Sequence, residues 1–340
     1  MNNKLVCFGE IMMRLSAKDH QRLLQTNVLD ISFGGAEFNV AVSAVNFGIS
    51  AEFVTRLPEN DFGQRAIQEI RKHNVACNNL AIGGERLGVY FLEMGIAGRS
   101  SKVVYDRSNS AIATIPVGTI EWDQVLKDAS WFHWSGVTPA ISQNAADECL
   151  RAIKKANEMG ITISCDLNYR SKLWKYGKAP HEIMPELLQY SNVILGDIDT
   201  ALFMLGKNKV APDYQKPEEL IIYYNDLFSE IKHLKFIATS LRYSESVSHQ
   251  RIGGLLYDGS SLFTSSIKEI NPVLDRVGSG DAFMGGLIYG LTEHANNLQY
   301  SVDFATSACC IKHTILGDFN LTSVTEVERL MKDNSGLVSR

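Results

Sequence analysis

Asp275-Arg276-Val277-Gly278-Ser279-Gly280-Asp281-Ala282-Phe283 runs directly into an apolar, helix-patterned stretch, MGGLIYGL at residues 284–291. Gly278, Ser279 and Gly280 can turn the chain sharply and leave backbone N–H groups free. A helix starting there adds its positive end, and together these groups hold phosphate and spread negative charge that develops during transfer. Asp281 falls in the first turn of that helix, placed to accept a proton from a hydroxyl attacking a phosphoryl group. A helix N-terminus also favours the ionised carboxylate. Asp281 is therefore expected to be charged, orienting and polarising the hydroxyl. Alone the turn is weak evidence, because Gly/Ser turns followed by Asp begin many ordinary helices.

Outward from this turn, short apolar runs alternate with helical patterns, as in an α/β fold built from crossover units. Strands are expected at Leu5–Phe8, Ala51–Thr55, Trp131–Ser135, Thr162–Asp166, Val193–Leu195 and Phe236–Thr239. Helices are expected at Glu37–Asn46, Gly63–His73, Ala145–Met159, Met184–Tyr190, Ala282–Thr292 and Tyr300–His313. That order gives a largely parallel, covered sheet. Two segments, Met12–Phe33 and Leu87–Arg107, alternate like strands, and the second has a Gly-bearing turn in its middle, as in a hairpin. They read as a small β lid over the ligand-binding edge of the sheet or as an extra antiparallel edge of the sheet itself.

The bulk composition excludes several classes. Apolar residues make up 45% and charged residues 21% of the 340, an ordinary globular balance. Net charge is −5 with scattered basic residues, which argues against a nucleic-acid surface. The six cysteines include no CxxC pair, so neither a disulfide framework nor a zinc site is expected. No apolar stretch has the length of a membrane span and the N-terminus does not read as a signal peptide, so the expected compartment is the cytoplasm. His133 and His313 stand isolated and read as structural, and Trp131–Trp134 alternate as a buried strand does. There is no GxxxxGK[ST], no GxGxxG after a strand, and no protein-kinase set.

A second glycine turn, Gly34-Gly35-Ala36-Glu37-Phe38-Asn39, opens a helix rich in small residues. Its glycines let a ligand approach the backbone, and Asn39 offers both a donor and an acceptor. This turn and the Gly278–Asp281 turn resemble the two signature regions of the ribokinase-like (PfkB) carbohydrate kinases, and the order of elements fits over essentially the whole chain. The likeness is strongest to the 2-keto-3-deoxygluconate kinases, through FGEIMMRLS at the start, LGVYFLE, VVYDRSNSA, FHWSGVTPA, SCDLNYRSKLW, TSLRYSES, DRVGSGDAF and KHTILGDFN.

The resemblance implies a single three-layer α/β/α domain over residues 1–340, with lid segments at about 12–33 and 87–107 inserted in it. It implies ATP-dependent phosphorylation of a sugar acid such as 2-keto-3-deoxygluconate, with Mg2+ and, as an open addition, a monovalent cation. A kinase for a neutral sugar such as fructose or ribose, or a non-catalytic sugar-binding regulator on this scaffold, is the alternative. Asp281 would be the base and Gly278, Ser279 and Gly280 the anion hole. Gly35, Ala36 and Asn39 would face the sugar, with Tyr90, Tyr105 and Arg107 closing from the lid and Arg170 beside them, and Asp318 would lie near the sugar or at the nucleotide edge. Arginine suits such an assignment, since its planar fork matches a carboxylate. Asn168, Thr239 and Arg242, with Gly278 and Gly280, would serve ATP. Asp197 stands where the family commonly has the Asn of an N-x-x-E segment, and Thr200 where it has the Glu, so Asp197 is expected to reach the metal through water. Two lid sheets covering each other's apolar faces would give a homodimer.

Overall fold

The computed structural model describes residues 4–332. A nine-stranded sheet runs through the molecule. Its path is Leu262–Thr264, Gln250–Tyr257, Phe236–Ser244, Val193–Leu195, Thr162–Asp166, Ala129–Ser135, Lys4–Phe8 and Ser50–Val54, with Lys268–Ile270 also on Gln250–Tyr257. From Phe236–Ser244 to Ser50–Val54 every neighbouring pair is parallel, and the strands beyond are antiparallel.

Side-chain alternation on the first strand shows the layering. Leu5 and Cys7 enter one buried apolar cluster, Val6 and Phe8 the other. Helices Ala36–Asn46, Ser279–Glu293 and Leu298–Lys312 pack into the first, and Gln143–Glu158, Pro180–Leu188 and Ile221–Glu230 into the second. The sheet is thus covered on both faces, as the unbroken apolar strands require. The fold is α/β, with helices over both faces of a large, mostly parallel sheet, the architecture that the resemblance implies.

The lid is a separate four-stranded sheet and not an edge of the main one. Met12–Ala17 pairs antiparallel with Leu29–Gly34, Gly88–Glu93 pairs antiparallel with Lys102–Asp106, and the two hairpins join through a parallel pairing of Met12–Ala17 with Gly88–Glu93. Register separates its faces. Arg14, Tyr90 and Tyr105 form one cross-strand row, and Ile31, Leu15, Phe91 and Val104 form the adjacent row on the opposite face.

Most expected elements are present with shifted ends. Helix Asp61–Lys72 starts two residues before Gly63 because Asn60 caps it, accepting from the N–H groups of Phe62 and Gly63. The strand expected to stop at Thr239 instead continues to Ser244, because Gln250–Tyr257 pairs with it over its whole length. His133 and His313 are fully buried, each with Nδ1 against a neighbour (Ser164 Oγ and Cys309 O), and burial pushes them down to about 3 and about 4. All six cysteines are free.

Candidate active site

A cavity of about 800 Å³ lies between the lid and the C-terminal ends of the parallel strands, where open α/β sheets bind ligands. Its floor is the start of the helix Ser279–Glu293. Gly278, the N-cap, has a φ of 82°, a left-handed conformation that glycine alone adopts freely, and a Cβ there would collide with the carbonyl oxygen of Asp318. Gly278, Ser279 and Gly280 line the cavity beside Asp281. Asp281 is 9% exposed and accepts a hydrogen bond from Asn39 Nδ2 at 2.7 Å. Burial, helped by the nearby charges of Asp166 and Asp318, pushes Asp281 up to about 8 against the opposing bond from Asn39. This corrects the expectation from the helix N-terminus: desolvation wins, and near neutral pH Asp281 is held toward its protonated form.

Gly35 and Ala36 line the same cavity with Asn39. No side chain fits at Gly35, since a Cβ would strike the carbonyl of Glu10. Asn39 therefore serves the carboxyl of Asp281 directly, through the helix that the second glycine turn opens.

Opposite the lid, strand Phe236–Ser244 presents Ser240 and Arg242 to the cavity, and Arg242 Nη2 donates to Ser279 Oγ at 3.1 Å. Arg276 lines it too, and neither arginine has a carboxylate within ion-pair distance among the described residues. Thr239 is a correction. It is 2% exposed, outside the cavity lining, with its Oγ1 donating to Gly196 O at 2.8 Å and 3.0 Å from Tyr224 Oη. Successive strand residues face opposite ways, so Thr239 and Arg242, three apart, cannot both face the cavity.

Asn168 and Arg170 follow the strand Thr162–Asp166 and line the cavity, as does Asp197. Asn168 has a φ of 38° and a buried side-chain oxygen with no partner among the described residues. Asp197 caps helix Ile198–Met204, its two oxygens accepting from the backbone N–H and the hydroxyl of Thr200 at 2.8 and 2.7 Å.

On the lid side Tyr90, Tyr105, Arg107 and Asp318 all border the cavity. Arg107 is not free, however. It is 6% exposed, and its Nε donates to Glu10 Oε2 at 2.7 Å while Nη2 meets the same oxygen. Tyr90 Oη donates to Asp318 Oδ2 at 2.6 Å, and Arg14 Nη1 to Asp318 Oδ1 at 2.7 Å.

Residues 2–320 match the model of the pfkB family of carbohydrate kinases. The chain belongs to that family. It is 30% identical to the 2-dehydro-3-deoxygalactonokinase of Haloferax volcanii, over all of both chains. It superimposes with a TM-score of 0.92 on the 2-dehydro-3-deoxygluconokinase of Thermotoga maritima, at 38% identity and covering 98% of this chain and 99% of that one. A fructokinase of Xylella fastidiosa with bound ATP shares the fold at a TM-score of 0.78 and 19% identity, covering 98% of this chain and 99% of that one.

Four site residues of this pfkB carbohydrate kinase escaped the sequence reading. Asp166 lies in SCDLNYRSKLW, Asp275 and Arg276 in DRVGSGDAF, and Arg14 in FGEIMMRLS, on the lid strand Met12–Ala17. Asp166 had a usable signal: it ends a parallel strand at the edge where ligands bind, and it lines the cavity. Burial raises it to about 6.

Proposed function

We propose that this kinase transfers the γ-phosphoryl group of Mg-ATP to the C6 hydroxyl of 2-keto-3-deoxygluconate, acting in the cytoplasm as a single-domain subunit of a homodimer. The observation that carries this reading is Asp281: a buried carboxyl tuned close to neutrality, at a helix N-terminus, in a cavity edged by arginines from four segments. A general base works best with a pKa near the operating pH, and Asp281 meets that condition.

The N–H groups of the Gly278–Asp281 turn, with Arg242 and Arg276, suit the polyphosphate, since two guanidiniums without carboxylate partners among the described residues favour a multiply charged anion. Arg170 and the Glu10-paired Arg107 suit the sugar carboxylate. Relatives named for 2-dehydro-3-deoxy sugar acids support the substrate class. Among the described residues no cluster of three or more His, Cys, Asp or Glu is grouped for a metal. Mg2+ would be held mainly by phosphates and water, with Asp197 ordering water nearby, and would offset phosphate charge. The homodimer rests on the apolar outer row of the lid, where Ile31 and Val104 are 59% and 41% exposed. No helix among the described residues is long and apolar enough to cross a membrane.

The test is ATP consumption across a panel of sugar acids, fructose and ribose. We expect 2-keto-3-deoxygluconate to exceed the neutral sugars in kcat/KM by at least about 10-fold, the worth of one charge-assisted bond. Preference for fructose or ribose would replace the substrate class, and silence on the whole panel with retained sugar binding would make the chain a regulator.

A further inference from the structure

Arg14 lies on a lid strand, yet it is 3% exposed and every nitrogen of its guanidinium is engaged. Nε donates to Ser16 Oγ at 2.8 Å, Nη1 to Asp318 Oδ1 at 2.7 Å, and Nη2 to Asp275 Oδ2 at 2.6 Å. The two aspartates hold the anion-hole turn from opposite sides. Asp275 opens it, with Oδ1 accepting from the Val277 N–H at 3.0 Å and Oδ2 also accepting from the Gly317 N–H at 3.1 Å. Asp318 closes over it, its carbonyl filling the space where Gly278 has no side chain. Lys312, also fully buried, donates to the carbonyls of Asp275 and Ile315 at 3.4 and 2.9 Å. A second buried cation thus stands behind the two carboxylates, held by backbone carbonyls of their segments.

Stability alone is a poor account of this quartet. Desolvating buried ion pairs costs about what their attraction returns, and apolar replacements are often as stable. Geometry supplies a better one. Tyr90, in register with Arg14 on the next lid strand, donates to the second oxygen of the same Asp318. Both lid hairpins therefore reach one residue, Asp318, whose carboxylate takes Arg14 and Tyr90 and whose backbone carbonyl covers Gly278.

Resting on the kinase reading above, we propose that Arg14 is a positioning residue that ties the lid to the anion-hole turn, so that Asp318, Tyr90 and the Gly278–Asp281 amides reach their working places together. An arginine fork can span both carboxylates at once. A lysine, with one ammonium, keeps the charge but cannot reproduce two fixed directions.

The deciding variant is Arg14→Lys, compared with the unmutated protein in two measurements. In steady-state assays with 2-keto-3-deoxygluconate and Mg-ATP, kcat should fall by about 10²-fold, the cost of misplacement on the order of 1 Å, with the folded fraction by near-ultraviolet circular dichroism unchanged. In hydrogen exchange with an unreactive ATP analogue, the unmutated protein should gain protection at both residues 275–281 and lid strands 12–17 and 88–93, and the variant only at 275–281. Wild-type kcat in the variant, a loss no larger than its loss of folded protein, or equal lid protection in both proteins would each overturn the proposal. Should Arg14→Lys not fold, the charge-matched pair Arg14→Gln with Asp275→Asn replaces it, with the same outcomes. An unmutated protein that consumes no ATP with any sugar would sink the kinase reading, and the exchange measurement would still decide the role of Arg14.

Discussion

Asn39 Nδ2 donates to Asp281 Oδ2 at 2.7 Å, joining across 242 positions of sequence the helices that the two glycine turns open. Asn39 Oδ1 in turn accepts from the Gly35 N–H at 3.3 Å, so the amide is held with its donor toward the carboxyl. This bond favours the charged form of Asp281, while burial and neighbouring carboxylates oppose it.

The pH dependence follows. A carboxyl raised to about 8 is mostly protonated at pH 6 and can accept a proton only as pH climbs. The value of kcat/KM should therefore rise between pH 6 and 9 with a midpoint near 8, since this parameter reports the free enzyme. In Asn39→Ala the midpoint should move higher, because the bond that lowers it is gone. A midpoint in the ordinary carboxylate range for the unmutated protein would remove Asp281 from the titrating role.

Asp281→Asn should cut kcat by ~10²–10⁴-fold, the usual worth of a positioned base, with ATP-analogue binding retained. It should also stabilise the unliganded protein at alkaline pH. A raised carboxyl pKa favours the fold fully below the unfolded value of 3.8, and that contribution is lost as pH rises through about 8. The variant's Tm should exceed the parent's by a few degrees near pH 9 and by little near pH 5. Thermal scans at both pH values, with a retained-activity threshold of about one tenth, test the two halves separately.

Arg107→Ala should weaken use of a sugar acid by roughly 10–150-fold, from loss of a charge-assisted contact, and affect a poor neutral hexose less. Its pairing with Glu10 adds a structural cost, because removing one partner of a buried pair leaves the other charge unsatisfied, about 3–5 kcal/mol. Adding Glu10→Gln should restore much of the stability and none of the acid preference. Equal kinetic losses on both substrates would make Arg107 a lid brace only.

Arg242→Ala and Thr239→Val should separate cleanly. The first should raise KM for ATP by about 10-fold or more and leave Tm nearly unchanged. The second should leave KM unchanged and cost about 1–3 kcal/mol, because Gly196 O and Tyr224 Oη lose their shared partner. Urea unfolding and ATP titration of both variants decide it, and a nucleotide defect in Thr239→Val would return Thr239 to the site.

Asp197→Asn should keep activity with a lower magnesium optimum, and Asp197→Ala should lose most of it. The alanine also removes a helix cap worth about 1 kcal/mol. Magnesium titrations at fixed ATP check this, and wild-type behaviour of the alanine variant would end the role of Asp197.

The sequence was most readable where one physical rule governed a residue. Continuous apolar strands announced a sheet covered on both faces, and glycine turns before helices marked both halves of the cavity floor. Thr239 was misread although strand alternation already set it opposite Ser240 and Arg242. The charge state of Asp281 was out of reach, because the helix N-terminus is visible in the sequence and the surrounding burial is not. Arg14 and Glu10 were equally hidden: each looks like an ordinary strand charge until partners from distant segments, Asp275, Asp318 and Arg107, arrive beside them.

Those distant partners also set an order in time. Arg14 waits for Asp318, and Asn39 waits for Asp281. A ribosome has most of the chain exposed before either partner has been made. The lid strands, all made by residue 106, therefore stay without the anchor that Asp275 and Asp318 supply, and Asn39 without its carboxyl, until those later residues are synthesised.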